Sequence, residues 1–183
     1  YGSTGGERTV GFPLRIWQVL PQVCREHLPA GRPAPEATPY EAFGMIYEPN
    51  MDLPIGVSKR RHLGIDRVFM NCGACHTSTV RDTPQSAAKV YTGMPAHTLD
   101  MLGFQTFFFN CSADAKFSAE YIVPEIERQM AKKKERLSLV DRYAVYPLAI
   151  WMMRDRLLSL RQRFEWAQSS RPHDPVAQQA TCL

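Results

Sequence analysis

Long hydrophobic runs are missing from this sequence. The apolar stretch 104–111 is far too short to cross a membrane, because a transmembrane helix needs about 20 predominantly apolar residues. The sequence therefore predicts a soluble chain without a transmembrane segment.

A large excess of charge of one sign is also missing. The 22 Lys and Arg residues exceed the 18 Asp and Glu residues by four, and this modest positive charge favours an acidic partner protein. The aromatic residues are not interleaved with the basic ones, as a stacking platform for nucleic acid requires. We expect a protein partner and no nucleic acid.

A second close pair of cysteines is absent as well. Beyond Cys72 and Cys75, the remaining cysteines are scattered singly, as are the histidines at 62, 97 and 173. A zinc knuckle requires a second close pair of ligands, so the sequence does not favour one. A zinc-stabilised interaction domain is kept only as an alternative.

The most informative motif is Cys72-Gly73-Ala74-Cys75-His76. Two cysteines at this spacing with an adjacent histidine are the attachment motif of a c-type haem. Each thiol bonds to one vinyl group of the haem, and His76 becomes the proximal iron ligand. We predict one covalent haem c as the cofactor.

Covalent haem attachment of this kind is completed outside the cytoplasmic membrane, so we expect an exported protein, periplasmic or secreted. The chain starts at Tyr1 rather than Met, which is expected if a secretion signal has been removed. Cys24, Cys111 and Cys182 are the remaining cysteines. Cys24 with Cys111 is the preferred disulfide, and two buried free thiols are the alternative.

The length of 183 residues and the 44% hydrophobic content predict one haem domain over 1–168, followed by a disordered tail over 169–183. Apolar spacing predicts a first helix over 13–28 and a second from about Thr98. Ser118 is a candidate N-cap for a third helix. A long helical region then runs to about Gln168, broken or kinked at Pro147.

Several segments resemble the amino-terminal haem domain of the dihaem c-type cytochromes that include bacterial rubber oxygenases and dihaem peroxidases. They are 53–58, 67–76 with Arg81 after it, the step 93–96, and the opening 12–17. The resemblance implies a mainly α, loop-rich, cytochrome c-like haem domain with long C-terminal helices. Such proteins carry two CxxCH motifs and this chain has one, so we expect either a monohaem relative or a fragment.

The sixth iron ligand decides between two functions. Met94, in Gly-Met-Pro, is one candidate and His97 is its rival. A filled position indicates a monohaem electron-transfer cytochrome, whereas an open position allows oxygen or peroxide to bind. The resemblance implies an open site or one covered by an aromatic residue: Phe104, Phe107 or Phe108.

Basic residues near the motif are candidates for binding the haem propionates, because arginine pairs well with carboxylates. They are Arg60, Arg61, Arg67 and Arg81. The function predicted first is electron transfer through one covalent haem, in a chain that is a subunit of a larger redox complex or acts alone. The alternatives are an oxygen- or peroxide-activating oxidoreductase domain and a structural or gas-sensing haem module.

Overall fold

A computed structural model of the chain describes residues 11–32, 34–62 and 64–169, with side chains through residue 165. Within these residues the chain divides into two compact units. The first contains 11–14 and 29–101, and the second contains 15–28 and 102–169. The CxxCH motif, 72–76, lies in the first unit.

The first unit is built on two small antiparallel sheets. Strands β1 (Phe12–Pro13), β2 (Val57–His62) and β3 (Ile65–Met70) form one sheet in the order β1-β3-β2. Strands β4 (Thr77–Val80) and β5 (Lys89–Thr92) form the other. A 3₁₀ helix, Pro39–Phe43, buries Tyr40 and Phe43 completely. The one-turn helix α2 (Cys72–Cys75) connects the two sheets.

The second unit is helical. Its helices are α1 (Leu14–Val23), α3 (Met101–Ala113), α4 (Ala119–Lys132) and α5 (Tyr146–Ser169). The first residues of α1 and α3 belong to the first unit. A 3₁₀ turn, Arg25–His27, follows α1, and a π-helical turn, Asp141–Val145, precedes α5. Helix α3 buries Phe104, Phe107 and Phe108, whose rings meet edge to face.

The predicted helices are present with changed boundaries. The first ends at Val23 rather than near residue 28, with Pro21 tolerated in its last turn, and the second begins at Met101. Ser118 is the N-cap of α4 in backbone conformation, although its side chain makes no capping hydrogen bond. The long helical region is interrupted over 133–138. Pro147 lies directly after the π-helical turn Asp141–Val145, within a helical run that begins at residue 139 and continues through α5. The irregularity expected at Pro147 is therefore a π turn just before it and not a break in the helix.

The expected mainly α class needs correction, because the described residues form a mixed α/β structure. The long C-terminal helices are confirmed, but five strands were missed. None of the described helices has both the length and the apolar character to span a membrane. The expected tail, 169–183, lies outside the described residues from 170 onward, and Ser169 is the last residue of α5.

Candidate haem-attachment site

Helix α2 presents the residues of the CxxCH motif. Asn71, in an extended conformation, caps its first turn, since the Asn71 side chain accepts a hydrogen bond of 2.8 Å from the N–H of Gly73. The Asn71 amide also donates to the Ser58 hydroxyl on β2, at 2.5 Å. One side chain therefore both starts the helix and fixes it to the neighbouring sheet.

Gly56 allows the chain before β2 to lie directly against α2. Its φ is +84°, and a Cβ on Gly56 would lie 1.9 Å from the backbone nitrogen of Ala74. The carbonyl of Gly56 accepts a hydrogen bond of 2.8 Å from the N–H of Asn71. Only glycine permits both this φ and this approach, so the segment 53–58 acts as the support for the motif.

The two motif cysteines differ in their surroundings. Cys72 is an exposed free thiol, whereas Cys75 is half-buried and disulfide-bonded. They lie three residues apart on one helical turn, so they occupy neighbouring positions on its surface. Thioether formation at Cys75 requires its reduced thiol.

His76 follows α2 directly and has an exposed side chain. Its backbone carbonyl accepts from the N–H of Gly93 at 2.7 Å, and the Cys75 carbonyl accepts from the N–H of Ala96 at 2.8 Å. These two bonds hold the segment 93–96 beside the motif. Met94 lies between them, with 40% of its surface exposed.

His97 is held by a side-chain contact. Its ring Nδ1 hydrogen-bonds with the hydroxyl of Ser78, a residue of β4 that is fully buried. This contact fixes the orientation of the imidazole and leaves Nε2 as the ring nitrogen suited to a metal. Both candidates for the sixth ligand, Met94 and His97, therefore lie in the segment that directly follows the hairpin of β4 and β5.

The four arginines predicted to bind the haem propionates do not all lie together. Arg60 on β2 and Arg67 on β3 are directly opposite each other, so their side chains leave the sheet on the same face. Arg61 pairs with Asp66 in the register and points to the other face. Arg81 follows β4, and its guanidinium donates to the carbonyl of Ser86. The structure therefore juxtaposes Arg60 and Arg67.

The hairpin next to the motif is unusually exposed. All four residues of β5 are exposed, including Val90 and Tyr91, whose side chains point to opposite faces. Val80 at the end of β4 is exposed too. A strand that exposes apolar side chains on both faces has little to cover it within its own unit.

A small cavity lies on the inner side of α2. Gly73, Ala74 and Thr77 line one part of it, and residues of 44–46 and 96–99 line another. Its volume of about 10 Å³ suits a single water molecule. The buried hydroxyl of Thr77 lines it without a hydrogen-bond partner. The cavity is far too small for a haem.

The aromatic residues expected near an open iron, Phe104, Phe107 and Phe108, are buried in α3, in the second unit. The preferred disulfide is confirmed there, because Cys24 is bonded to Cys111 across 87 residues of sequence. Cys182 lies outside the described residues.

Sequence reasoning missed one group of potential metal ligands, also in the second unit. Ligand atoms of Glu26, His27 and Asp114 all lie within 4.8 Å of one another. These residues have no motif spacing in the sequence. The only available signal was positional, since His27 and Asp114 each follow a cysteine of the preferred disulfide by three residues.

No family model matches the chain, and neither the curated proteins nor the solved structures contain a match to it.

Proposed function

We propose that this chain attaches one haem covalently through Cys72 and Cys75, with His76 as the proximal ligand, and that it functions as a monohaem c-type cytochrome. The observation that carries the proposal is the CxxCH motif on a capped single helical turn, followed at once by an exposed histidine. Both the Cys72 thiol and the His76 imidazole are accessible to a group that binds from outside.

The residues around the motif fit this use. Asn71 and Gly56 hold α2 against the sheet, which orients the two cysteines and His76 together. The exposed apolar side chains of Val80 and Tyr91, which share one face of the hairpin, offer a surface of the kind that a bound porphyrin covers. Arg60 and Arg67, directly opposite each other, form a pair of guanidinium groups suited to a propionate carboxylate.

The haem iron supplies one-electron oxidation and reduction when the group is bound. The chain's contribution is to fix the ligands and to tune their basicity. Ser78 positions His97 through Nδ1, and Met94 is held nearby on the segment 93–96. Either residue as a sixth ligand supports electron transfer, in which an acidic partner protein is attracted by the net charge of +4.

A second function is favoured by the position of Met94. Hydrogen bonds hold the backbone on either side of Met94 beside the backbone of Cys75 and His76, and the Met94 side chain is exposed. If neither Met94 nor His97 binds the iron, the sixth position would be open. An open iron favours oxygen or peroxide activation, as the resemblance to rubber oxygenases and dihaem peroxidases implies.

The proposed location is the periplasm or the exterior of the cell. The disulfide between Cys24 and Cys111 supports it, because such bonds persist in oxidising compartments.

The test compares Met94→Ala and His97→Ala with the parent protein, using the spectrum of the reduced form and the rate of carbon monoxide binding. Met51→Ala and His62→Ala are matched controls, since Met51 is also an exposed methionine and His62 lies on β2. For an electron carrier, the parent is six-coordinate and binds carbon monoxide slowly, and one of the two variants binds it at least about tenfold faster.

If the parent binds carbon monoxide rapidly and neither variant changes the rate, the iron is open and the electron-carrier proposal fails. Oxygen or peroxide chemistry then becomes the better account. Changes in the two control variants equal to those in the test variants would also contradict the assignment of Met94 or His97.

A further inference from the structure

The disulfide between Cys24 and Cys111, in the second unit, brings together two chain segments that are distant in the sequence. Cys24 follows α1 and Cys111 lies in the last turn of α3. Three residues after each cysteine come His27 and Asp114, and His27 Nε2 lies 3.0 Å from Asp114 Oδ2. A covalent bond therefore fixes the distance between the segments that carry these two side chains.

The Asp114 carboxylate is oriented by the backbone. Its Oδ1 accepts a hydrogen bond of 2.8 Å from the N–H of Lys116, which leaves Oδ2 directed at His27. Metal-binding carboxylates and imidazoles are held by outer contacts of this kind. The side chains of His27 and Asp114 are 25% and 22% exposed, so the pair is sheltered and yet accessible from solvent.

Glu26 supplies a third oxygen. Its carboxylate pairs with the Lys116 ammonium group, and the ligand atoms of Glu26, His27 and Asp114 lie within 4.8 Å of one another. Ligand atoms around a tetrahedral zinc ion lie roughly 3.4 Å apart, given metal–ligand distances of about 2.0–2.2 Å. A small inward movement of Glu26 is enough to complete three ligands.

We infer that Glu26, His27 and Asp114 form a binding site for a divalent transition-metal ion of the zinc class, in which the ammonium group of Lys116 occupies the cation position when the metal is absent. One nitrogen and two carboxylate oxygens are a ligand set that zinc accepts, with water as the fourth ligand. This inference does not depend on the haem proposal, because no residue of the CxxCH motif takes part.

Because the Lys116 ammonium group competes with the metal, its removal should strengthen metal binding. A cluster of ion pairs that binds no metal would not respond in this way. Zinc chloride is titrated by calorimetry into the full chain carrying Cys72→Ser and Cys75→Ser, so that no thiolate of the haem motif binds the metal. We expect one zinc site, weakened at least tenfold by His27→Gln or Asp114→Asn. Lys116→Met should tighten it by about two- to fivefold, which is the strength of an exposed ion pair.

Lys89→Met is the matched control, because Lys89 forms a comparable pair with Asp82 at 2.6 Å, and it should leave the affinity unchanged. Zinc binding of equal strength in the parent, His27→Gln and Asp114→Asn would overturn the inference, as would the absence of a stoichiometric site in the parent. If the two ligand variants fail to fold, the comparison of Lys116→Met with Lys89→Met decides, and equal affinities in those two variants reject the site.

Discussion

Gly56 shows how a single residue determines where the motif helix sits. Its positive φ and its contact with the backbone of Ala74 leave no space for a side chain. Asn71 adds one hydrogen bond to Gly56 and another to Ser58, so close backbone packing and these hydrogen bonds both contribute to the position of α2.

Replacing Gly56 by Ala is expected to lower the free energy of unfolding by roughly 2–4 kcal/mol, the sum of backbone strain and the displacement of α2. Gly31→Ala is the control, because Gly31 has a φ of +72° but nothing within 4 Å of an added Cβ. Gly31→Ala should lower the free energy of unfolding by only about 1 kcal/mol, because alanine disfavours this φ. Equal losses in urea unfolding of the two variants would show that the contact with Ala74 is unimportant.

At the residue scale, the sequence predicted a haem-attachment motif from the CxxCH spacing, which stays a prediction, and the preferred cysteine pair, which is confirmed. The sequence did not show which of the candidate arginines lie together, because Arg60 and Arg67 become neighbours only through the register of β2 and β3. Nor could it find the contact between His97 and Ser78, which depends on where the chain turns after β5.

The disulfide between Cys24 and Cys111 is the main covalent link between elements in the described residues. It joins the end of α1 to α3 across 87 residues, and both cysteines are fully buried. Closing a loop of this length restricts the unfolded chain strongly. The disulfide is therefore expected to stabilise the fold mainly by restricting the unfolded chain between α1 and α3.

The double variant Cys24→Ala, Cys111→Ala is expected to lose about 2–5 kcal/mol of unfolding free energy. The measurement is urea unfolding followed by helical circular dichroism. Cys72→Ala, which removes an exposed free thiol, serves as the control and should change stability by less than about 0.5 kcal/mol. A double variant as stable as that control would contradict the role of the disulfide.

The ionic contacts beside this disulfide predict a pH dependence. The pKa values of Glu26 and Asp114 are lowered from their ordinary values of 4.5 and 3.8. A lowered pKa in the folded state stabilises the fold at pH values above the ordinary pKa, and this stabilisation disappears as the pH falls through the folded pKa. These two carboxylates should therefore contribute at pH 6 and contribute progressively less as the pH falls below their ordinary pKa values.

Asp114→Asn should accordingly reduce stability at pH 6 by about 0.2–1 kcal/mol, a range appropriate to accessible pairs, and much less at pH 2. Thermal unfolding at both values measures the difference. Salt at 1 M should shrink it, because exposed charges are screened. A penalty that is the same at pH 2 and pH 6 would contradict an ionic role for Asp114.

At the element scale, apolar periodicity and the N-cap residue located α1, α3 and α4 approximately. The strands were missed because their patterns are weak: β2 carries the basic run Lys59–Arg61, and β5 is exposed on both faces. Strand pairing depends on contacts between segments, which local composition does not encode.

On the scale of the whole molecule, two units divide the described chain, one bearing the haem motif and the other the disulfide and the cluster of Glu26, His27 and Asp114. Sequence reasoning expected one domain built around the motif. The division into units depends on 15–28 joining the residues from 102 onward, and only the folded chain brings these two segments together.

The central claim is that Cys72 and Cys75 carry a covalent haem, and denaturing mass spectrometry of protein made in a periplasm with haem-maturation machinery tests it most directly. The account predicts that the parent and the control His62→Gln each show the polypeptide mass plus one haem, while Cys72→Ala with Cys75→Ala shows the polypeptide alone. A parent chain that carries no added haem under these conditions, although the same cells attach haem to a known c-type cytochrome, would contradict the account.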